Sequence, residues 1–454
     1  MTITEQFCRI LADITVDTIP PEAIAATRRL VLDGIAVGVA GTHERAARIL
    51  ADHLREMGGA AQATAINFGF RTSVASAAYL NGAAMHVLDY EPMWNPPNHA
   101  TSTTLAAVLA AGEWLGADGA QMIVALIRGV EAQGRLRVAS RQYEPRALTF
   151  HPPGVTGVIG SAIATSHMLS LDLGETRNAV GLAASRAGSL IGNIGTMAKS
   201  THCGMAAAMG LDAALMAKRG FTANPDIIEA PNGLAAGFFD TNWDREALIV
   251  RGVPLRIVEP GYAIKMFPSQ YATHFVIRAA LDARARIPDP RAIKSVEITG
   301  PIMPYVDRPR PQNGLDAKFS FQYTAACALL DNAIGLDSFS DNRCVSADIS
   351  SMLSKVRFVQ SSAIPASLDN MWVDIAVDLE NGERIIAKCA KPAGAWGTPI
   401  PDDQHQVKVR NCLRTTFSEA QTEDMIASMR RFETLNSGVF RELMRTLKNA
   451  PPSH

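Results

Sequence analysis

From Pro21 to about Tyr262, apolar and small residues recur at helical spacing. Ala23 to Ala40 follows Pro20-Pro21, a start signal, and puts Ile24, Val31, Ile35 and Val39 on one stripe. Thr103–Leu115, Gln121–Val138, Gly154–Ser170, Glu175–Ser189 and Cys203–Arg219 read the same way. Small residues fill these segments, as in Met205-Ala206-Ala207-Ala208-Met209-Gly210, so the helices can approach closely. No fixed-period repeat runs through them, which favours a compact helical core over a solenoid.

The pattern changes near Ile264. Arg291–Gly300 alternates into a short strand. Met371–Lys388 reads as two strands around Glu380-Asn381-Gly382-Glu383, and Asn-Gly between alternating apolar runs is a strong hairpin signal. Tyr323–Ile334 and Ser346–Val356 between them are helical in pattern, and after Pro401 the helical texture returns at Thr422–Phe432 and Gly438–Leu447. Pro451-Pro452 marks a frayed tail. The expected fold class is mostly α. An all-helical domain spans 1–263, an inserted smaller α+β domain 264–397, and a return segment of the helical domain 398–454.

Composition narrows the function. Of 454 residues 47% are hydrophobic and 19% charged, against about 25% charged in average usage. Much buried surface and a subunit interface are expected. A net charge of −1 gives no basic face for nucleic acid. The longest uncharged stretch, Ala147–Leu171, holds histidines, prolines and hydroxyls, which makes it a poor membrane span and a plausible wall of a site. The six cysteines form no CxxC pair, and Glu5, Arg9 and Asp13 interrupt any leader, so a cytoplasmic protein with reduced thiols is expected. GxSxG, a dinucleotide fingerprint, a P-loop and HExxH are all absent.

Histidine is scarce, at 10 residues, and clustered with other chemistry. His86 and Asp89, three apart, would share a helix face, and His99 follows a proline-rich loop. These three could be metal ligands, or a core histidine beside an orienting acid. His151 precedes Pro152-Pro153 at a helix entry, where free N–H groups suit a carboxylate; a buried turn histidine is the alternative. Lys199 and His202 lie between a Gly-rich stretch and an Ala/Met-rich helix. A lysine in such surroundings needs an anionic partner, unless it is a surface lysine of a loop. Lys265 opens KMFPSQYATH at the change of texture, as either a ligand-binding or a solvated lysine. Tyr305-Val306-Asp307-Arg308-Pro309 either holds a carboxylate or closes a turn.

Taken in order, LVLDGIAVGVAG, AAYLNGAAMHVLDYEP…NHATSTTLAAVLA, FHPPGVTGVIGSA, GTMAKSTHCGMAAAMGLDAALMAKRGF and IKMFPSQYATH resemble the MmgE/PrpD family over nearly the whole chain. That resemblance implies a metal-free, cofactor-independent cytosolic homodimer with a large helical domain and a smaller lid domain. It implies a lyase or epimerase acting on a small di- or tricarboxylate, such as 2-methylcitrate, cis-aconitate or iminodisuccinate; a catalytically inactive carboxylate-binding homologue is the alternative. By motif it assigns Asp89, His99, His151, Lys199 and Lys265 to catalysis and Tyr305 to substrate binding. Met93, His202 and Gln270 fall at expected pocket positions. Glu91-Pro92-Met93 stands where many members carry Asp-Asp-Thr, and Gln270 where some carry histidine. The implied chemistry breaks a bond beside a carboxylate. The lysines neutralise developing charge, His99 and His151 move protons, and Asp89 orients a histidine or binds a substrate hydroxyl.

Overall fold

The computed structural model describes residues 1–143 and 148–448. Ala147, at the head of the uncharged stretch, and the tail at Pro451-Pro452 lie outside the described residues. The chain divides into two compact units, 1–264 with 400–454 and, inserted between these segments, 265–399.

The first unit begins with α1 (Ile3–Ala12), α2 (Pro21–Gly41) and α3 (Arg45–Met57). A short ladder of β1 (Ala63–Thr64) and β2 (Arg71–Thr72) follows, so this unit is mostly rather than wholly helical. Next come α4 (Val74–Val87), α5 (Ala100–Leu115), α6 (Gly119–Ala139), α7 (Pro152–Met168), α8 (Leu173–Ala184) and α9 (Ala198–Lys218). Two short helices, α10 (Leu234–Phe238) and α11 (Arg245–Ile249), end the first segment. The inserted unit holds α12 (Thr273–Arg284), β3 (Ile293–Pro301), α13 (Gly314–Ala317), α14 (Phe321–Asp331), α15 (Asp341–Cys344), α16 (Ala347–Leu353), β4 (Val356–Ser361), β5 (Val373–Leu379) and β6 (Arg384–Cys389). The return segment supplies α17 (Asp402–Leu413), α18 (Glu419–Met429) and α19 (Ser437–Lys448).

Helices α4, α5 and α7 are buried around almost their whole circumference. Such helices lack a polar face and belong to the centre of a core. Helix α9 packs on α4 and α7, and the approach is close because the crossing points are glycines. A Cβ on Gly204 would stand 2.2 Å from the Tyr79 carbonyl oxygen, and one on Gly82 would stand 2.9 Å from the Gly204 Cα. Any side chain there would push α9 away from α4 and separate the groups they carry. No helix among the described residues is long and apolar enough to cross a membrane.

The inserted unit is built on a sheet of order β4-β3-β5-β6. Strand β3 is parallel to β4 and antiparallel to β5, and β5–β6 is the Asn-Gly hairpin, with Gly382 at φ 87° in its turn. Val373, Ile375, Val377 and Leu379 alternate inward along β5, and α12 packs on β5 and β6. The expected helix over Ser346–Val356 is shorter, because Val356 already begins the half-exposed strand β4.

Candidate active site

The chain ends of four core helices of the first unit carry the chemistry. His86 lies in the last turn of α4, His99 at the N-terminal cap of α5, His151 at that of α7, and Lys199 and His202 in the first turns of α9. Pro152 and Pro153 hold the His151 backbone extended and start α7, while the His151 N–H donates to the Ser189 carbonyl over 2.7 Å. The loop before His99 is tied down by Asn98, which donates to Gln133, itself a donor to Thr103 and Thr104.

Glu91 is fully buried among these groups. Its Oε1 lies 2.5 Å from His86 Nδ1 and 3.1 Å from His99 Nδ1, and accepts from the Ser102 hydroxyl over 3.1 Å. Burial pushes the Glu91 carboxyl up, but the combined pull of His86 and His99 outweighs it and holds the group well below the usual carboxylate range. Burial also drives the His86 imidazole down to about 4, against the opposing pull of Glu91. The pair rests as carboxylate and neutral imidazole. A carboxylate only accepts, so the His86 proton sits on Nδ1 and Nε2 carries the lone pair. That Nε2 is buried without a hydrogen-bond partner among the described residues.

The rings continue as a chain. His86 and His99 centroids are 4.6 Å apart, His86 and His151 5.7 Å, and His99 and His151 6.0 Å. His151 Nδ1 lies 3.2 Å from His202 Nδ1, so one ring donates and the other accepts. Burial, reinforced by the Lys199 charge and the other imidazoles, holds His151 well below the usual histidine range; His202 is lowered for the same first two reasons. Lys199 and Asp89 are both buried and paired, Nζ to Oδ2 at 3.0 Å. A lysine in the first turn opposes the helix dipole, and Asp89 beside it offsets that cost.

Several expectations change. Asp89 does not share a helix face with His86: α4 ends before it, and Asp89 takes a left-handed φ of 53°. Glu91 is a carboxylate that meets His86 and His99, and Asp89 has Lys199 among its partners. Lys199 and His202 stand on α9, which starts earlier than its Ala/Met pattern suggested, and α8 stops at Ala184 rather than Ser189. Met93 is buried with its backbone paired to Ala263, outside the hydrogen bonds and ring contacts above. In the inserted unit Lys265 Nζ donates to the Ser269 carbonyl over 3.3 Å, and Gln270 Nε2 lies 3.5 Å from the Tyr305 hydroxyl. Asp307 is engaged by Gln322 and Gln360, and Arg308 by Asp316, which is the turn-closing alternative for that motif.

Glu91 and His86 carry roles that no motif reading assigned. One sequence signal pointed to them: no Lys or Arg occurs between Arg71 and Arg128, so acids there depend on histidines or on distant lysines. Among the described residues two donor sets are compact enough for a cation, His86 with His99 and His151, and His86 with Glu91 and Cys203, each within 4.8 Å. Neither is the alternative set of His86, Asp89 and His99, and Asp89 is paired with Lys199.

Neutral buried imidazoles next to one ionised carboxylate and one ammonium are the equipment of an acid–base enzyme that handles anions. The MmgE/PrpD N-terminal domain matches residues 5–246 and the MmgE/PrpD C-terminal domain residues 267–433, and the chain belongs to this family. Cis-aconitate decarboxylase of Mus musculus is 29% identical over 94% of this chain and 89% of its own length. The Homo sapiens enzyme of that name is 28% identical over 96% and 92%, and that of Aspergillus terreus 23% over 96% and 94%. The chain is a lyase.

Proposed function

We propose that the protein decarboxylates a small tricarboxylate of the cis-aconitate kind. The observation that carries this reading is the Asp89–Lys199 pair set beside His86, His99 and His151 in a buried cluster. The relatives named for cis-aconitate decarboxylation support the substrate class. A tricarboxylate brings negative charge to imidazoles that burial keeps neutral, which raises their affinity for protons where a proton is needed. The bond from a methylene carbon to its carboxylate breaks and CO2 leaves. The electron pair forms a new double bond, the old double bond moves its electrons to the carbon beside a second carboxylate, and a proton from an imidazole ends there. Lys199 stabilises that developing charge, and His99 and His151 carry the proton. Glu91 keeps His86 in one tautomer, and Asp89 holds Lys199 in place.

His202 and Met93 shape specificity in this reading. The reaction needs no metal, because Lys199 supplies the positive charge; prolonged chelation leaves turnover intact, and a loss restored only by a divalent cation would make His86, His99 and His151 ligands. The enzyme acts as a homodimer through the helical unit, which exposes Leu190, Met197, Phe221, Val250 and Val253; a mass of one subunit by light scattering refutes it. The deciding experiment follows cis-aconitate, 2-methylcitrate and iminodisuccinate by proton NMR in D2O. CO2 release with one deuteron in a methylene-substituted succinate is expected. Water loss or α-deuteration alone points to the dehydratase or epimerase of the family, and no change with any acid overturns the enzyme reading.

A further inference from the structure

A second buried charge cluster lies in the same unit, and its reach extends to the turn that carries Asp89 and Glu91. Helix α17 delivers His405 and Lys408 to Asp33 on α2; all three are buried. His405 Nε2 is 2.9 Å from Asp33 Oδ2, and Lys408 Nζ is 3.0 Å from Oδ1 and 2.8 Å from Oδ2. The same ammonium donates to the Tyr90 carbonyl over 2.8 Å and lies 4.2 Å from the centre of the Tyr90 ring. A buried ion pair is poor evidence of stabilisation, since well-packed apolar residues usually do as well. What an apolar pair lacks is a donor for the Tyr90 carbonyl. Tyr90 stands between Asp89, whose φ of 53° needs outside support, and Glu91, whose Oε1 meets His86.

We propose that Lys408 is a positioning residue: anchored by Asp33 and His405, its ammonium fixes the Tyr90 peptide, and thereby the geometry in which Asp89 meets Lys199 and Glu91 meets His86. The inference rests on the reading above that those groups serve the reaction. Sequence separation hides the link, because Lys408 and Tyr90 are 318 residues apart.

The test compares full-length wild type, Lys408→Met, and the double variant Asp33→Asn/Lys408→Met. Three quantities are read: the thermal midpoint, kcat and KM on cis-aconitate, and the downfield ring N–H resonance of His86 in 15N-histidine-labelled protein, assigned by its loss in His86→Asn. Lys408→Met leaves Asp33 buried with only His405 against it, so its midpoint falls; the double variant removes that charge and regains most of the loss. Positioning predicts that kcat falls roughly 10–100-fold in both variants, with KM within about 3-fold of wild type. It also predicts a displaced His86 resonance in both. Recovery of kcat together with the midpoint in the double variant would show that Lys408 only neutralises Asp33, and overturn the proposal. An unmoved His86 resonance in both variants overturns it as well. If the wild type turns over none of the acids, the substrate reading fails by itself, and the resonance alone decides the positioning role.

Discussion

Glu91 and Asp33 are both fully buried carboxylates of the helical unit, and each has a histidine against it. Their remaining partners differ. Asp33 faces the Lys408 ammonium, 2.8 Å away. Glu91 faces His86, His99 and a serine hydroxyl, all of which can give or take a proton. Burial raises both acids, and both end up lowered, Asp33 by the Lys408 charge and the His405 hydrogen bond, Glu91 by its two imidazoles. Asp33, balanced by Lys408 away from the imidazole cluster, is a strut. A carboxylate balanced by imidazoles is part of a proton path, and its neighbours respond when an anion arrives.

The largest effects belong at the proton path. With the role proposed for Lys199, Lys199→Met should lower kcat/KM by roughly 10³-fold. His151→Gln should lower kcat by about 10²–10⁴-fold. Both proteins should remain folded, as judged by circular dichroism and thermal melting. Full turnover in Lys199→Met would move the anion site elsewhere and dissolve the contrast with Asp33.

Glu91→Gln comes next. The amide keeps the size but not the charge that holds His86 in the Nδ1–H tautomer, so kcat should fall by about 10²-fold or more with little change in KM. A loss of less than about threefold would mean that Glu91, like Asp33, is only a strut.

Much of the helical core was legible because backbone rules leave marks in sequence. Pro20-Pro21 starts α2, and Pro152-Pro153 fixes His151 before α7. Asn-Gly between alternating strands gave the β5–β6 hairpin. The acid–base residues were legible only as isolated groups. Their partners follow from where helices end, and α4 ends before Asp89 in a left-handed turn that periodicity does not show. Helix α17 escaped notice for a related reason. Its buried face includes His405, Lys408, Val409 and Cys412, the spacing of an amphipathic helix, yet two of these positions are polar. A search for apolar stripes reads that face as solvated. The edge strand β4 was missed because its half-exposed residues lack alternation.

Removal of the Asp33 carboxylate alone is expected to show first in stability. Asp33→Asn leaves Lys408 buried without its counter-ion, and losing one member of a buried pair costs about 3–5 kcal/mol. Chemical denaturation at neutral pH measures it. Glu91→Gln, beside the neutral His86 imidazole, should cost clearly less; equal losses would erase the distinction between the two sites.

Acid separates the two clusters with the smallest change per step. His86 is lowered from 6.5 to about 4 by burial, so between those values the unfolded chain binds a proton that the folded one does not. Stability from this group is complete above about pH 6.5 and is lost as pH falls toward 4, at up to about 1.4 kcal/mol per pH unit for one imidazole. His43, His151, His167 and His202, also lowered, act in the same direction. Asp33 is lowered from 3.8, so its share of stability persists through that whole window and is lost only below it. Denaturation midpoints measured from pH 7 to 4 should therefore decline in wild type and in Asp33→Asn with the same slope. In His86→Asn the slope should be shallower. An equal slope in His86→Asn would mean that this imidazole is already charged in the folded protein, and the proton path would have to begin from an imidazolium beside Glu91.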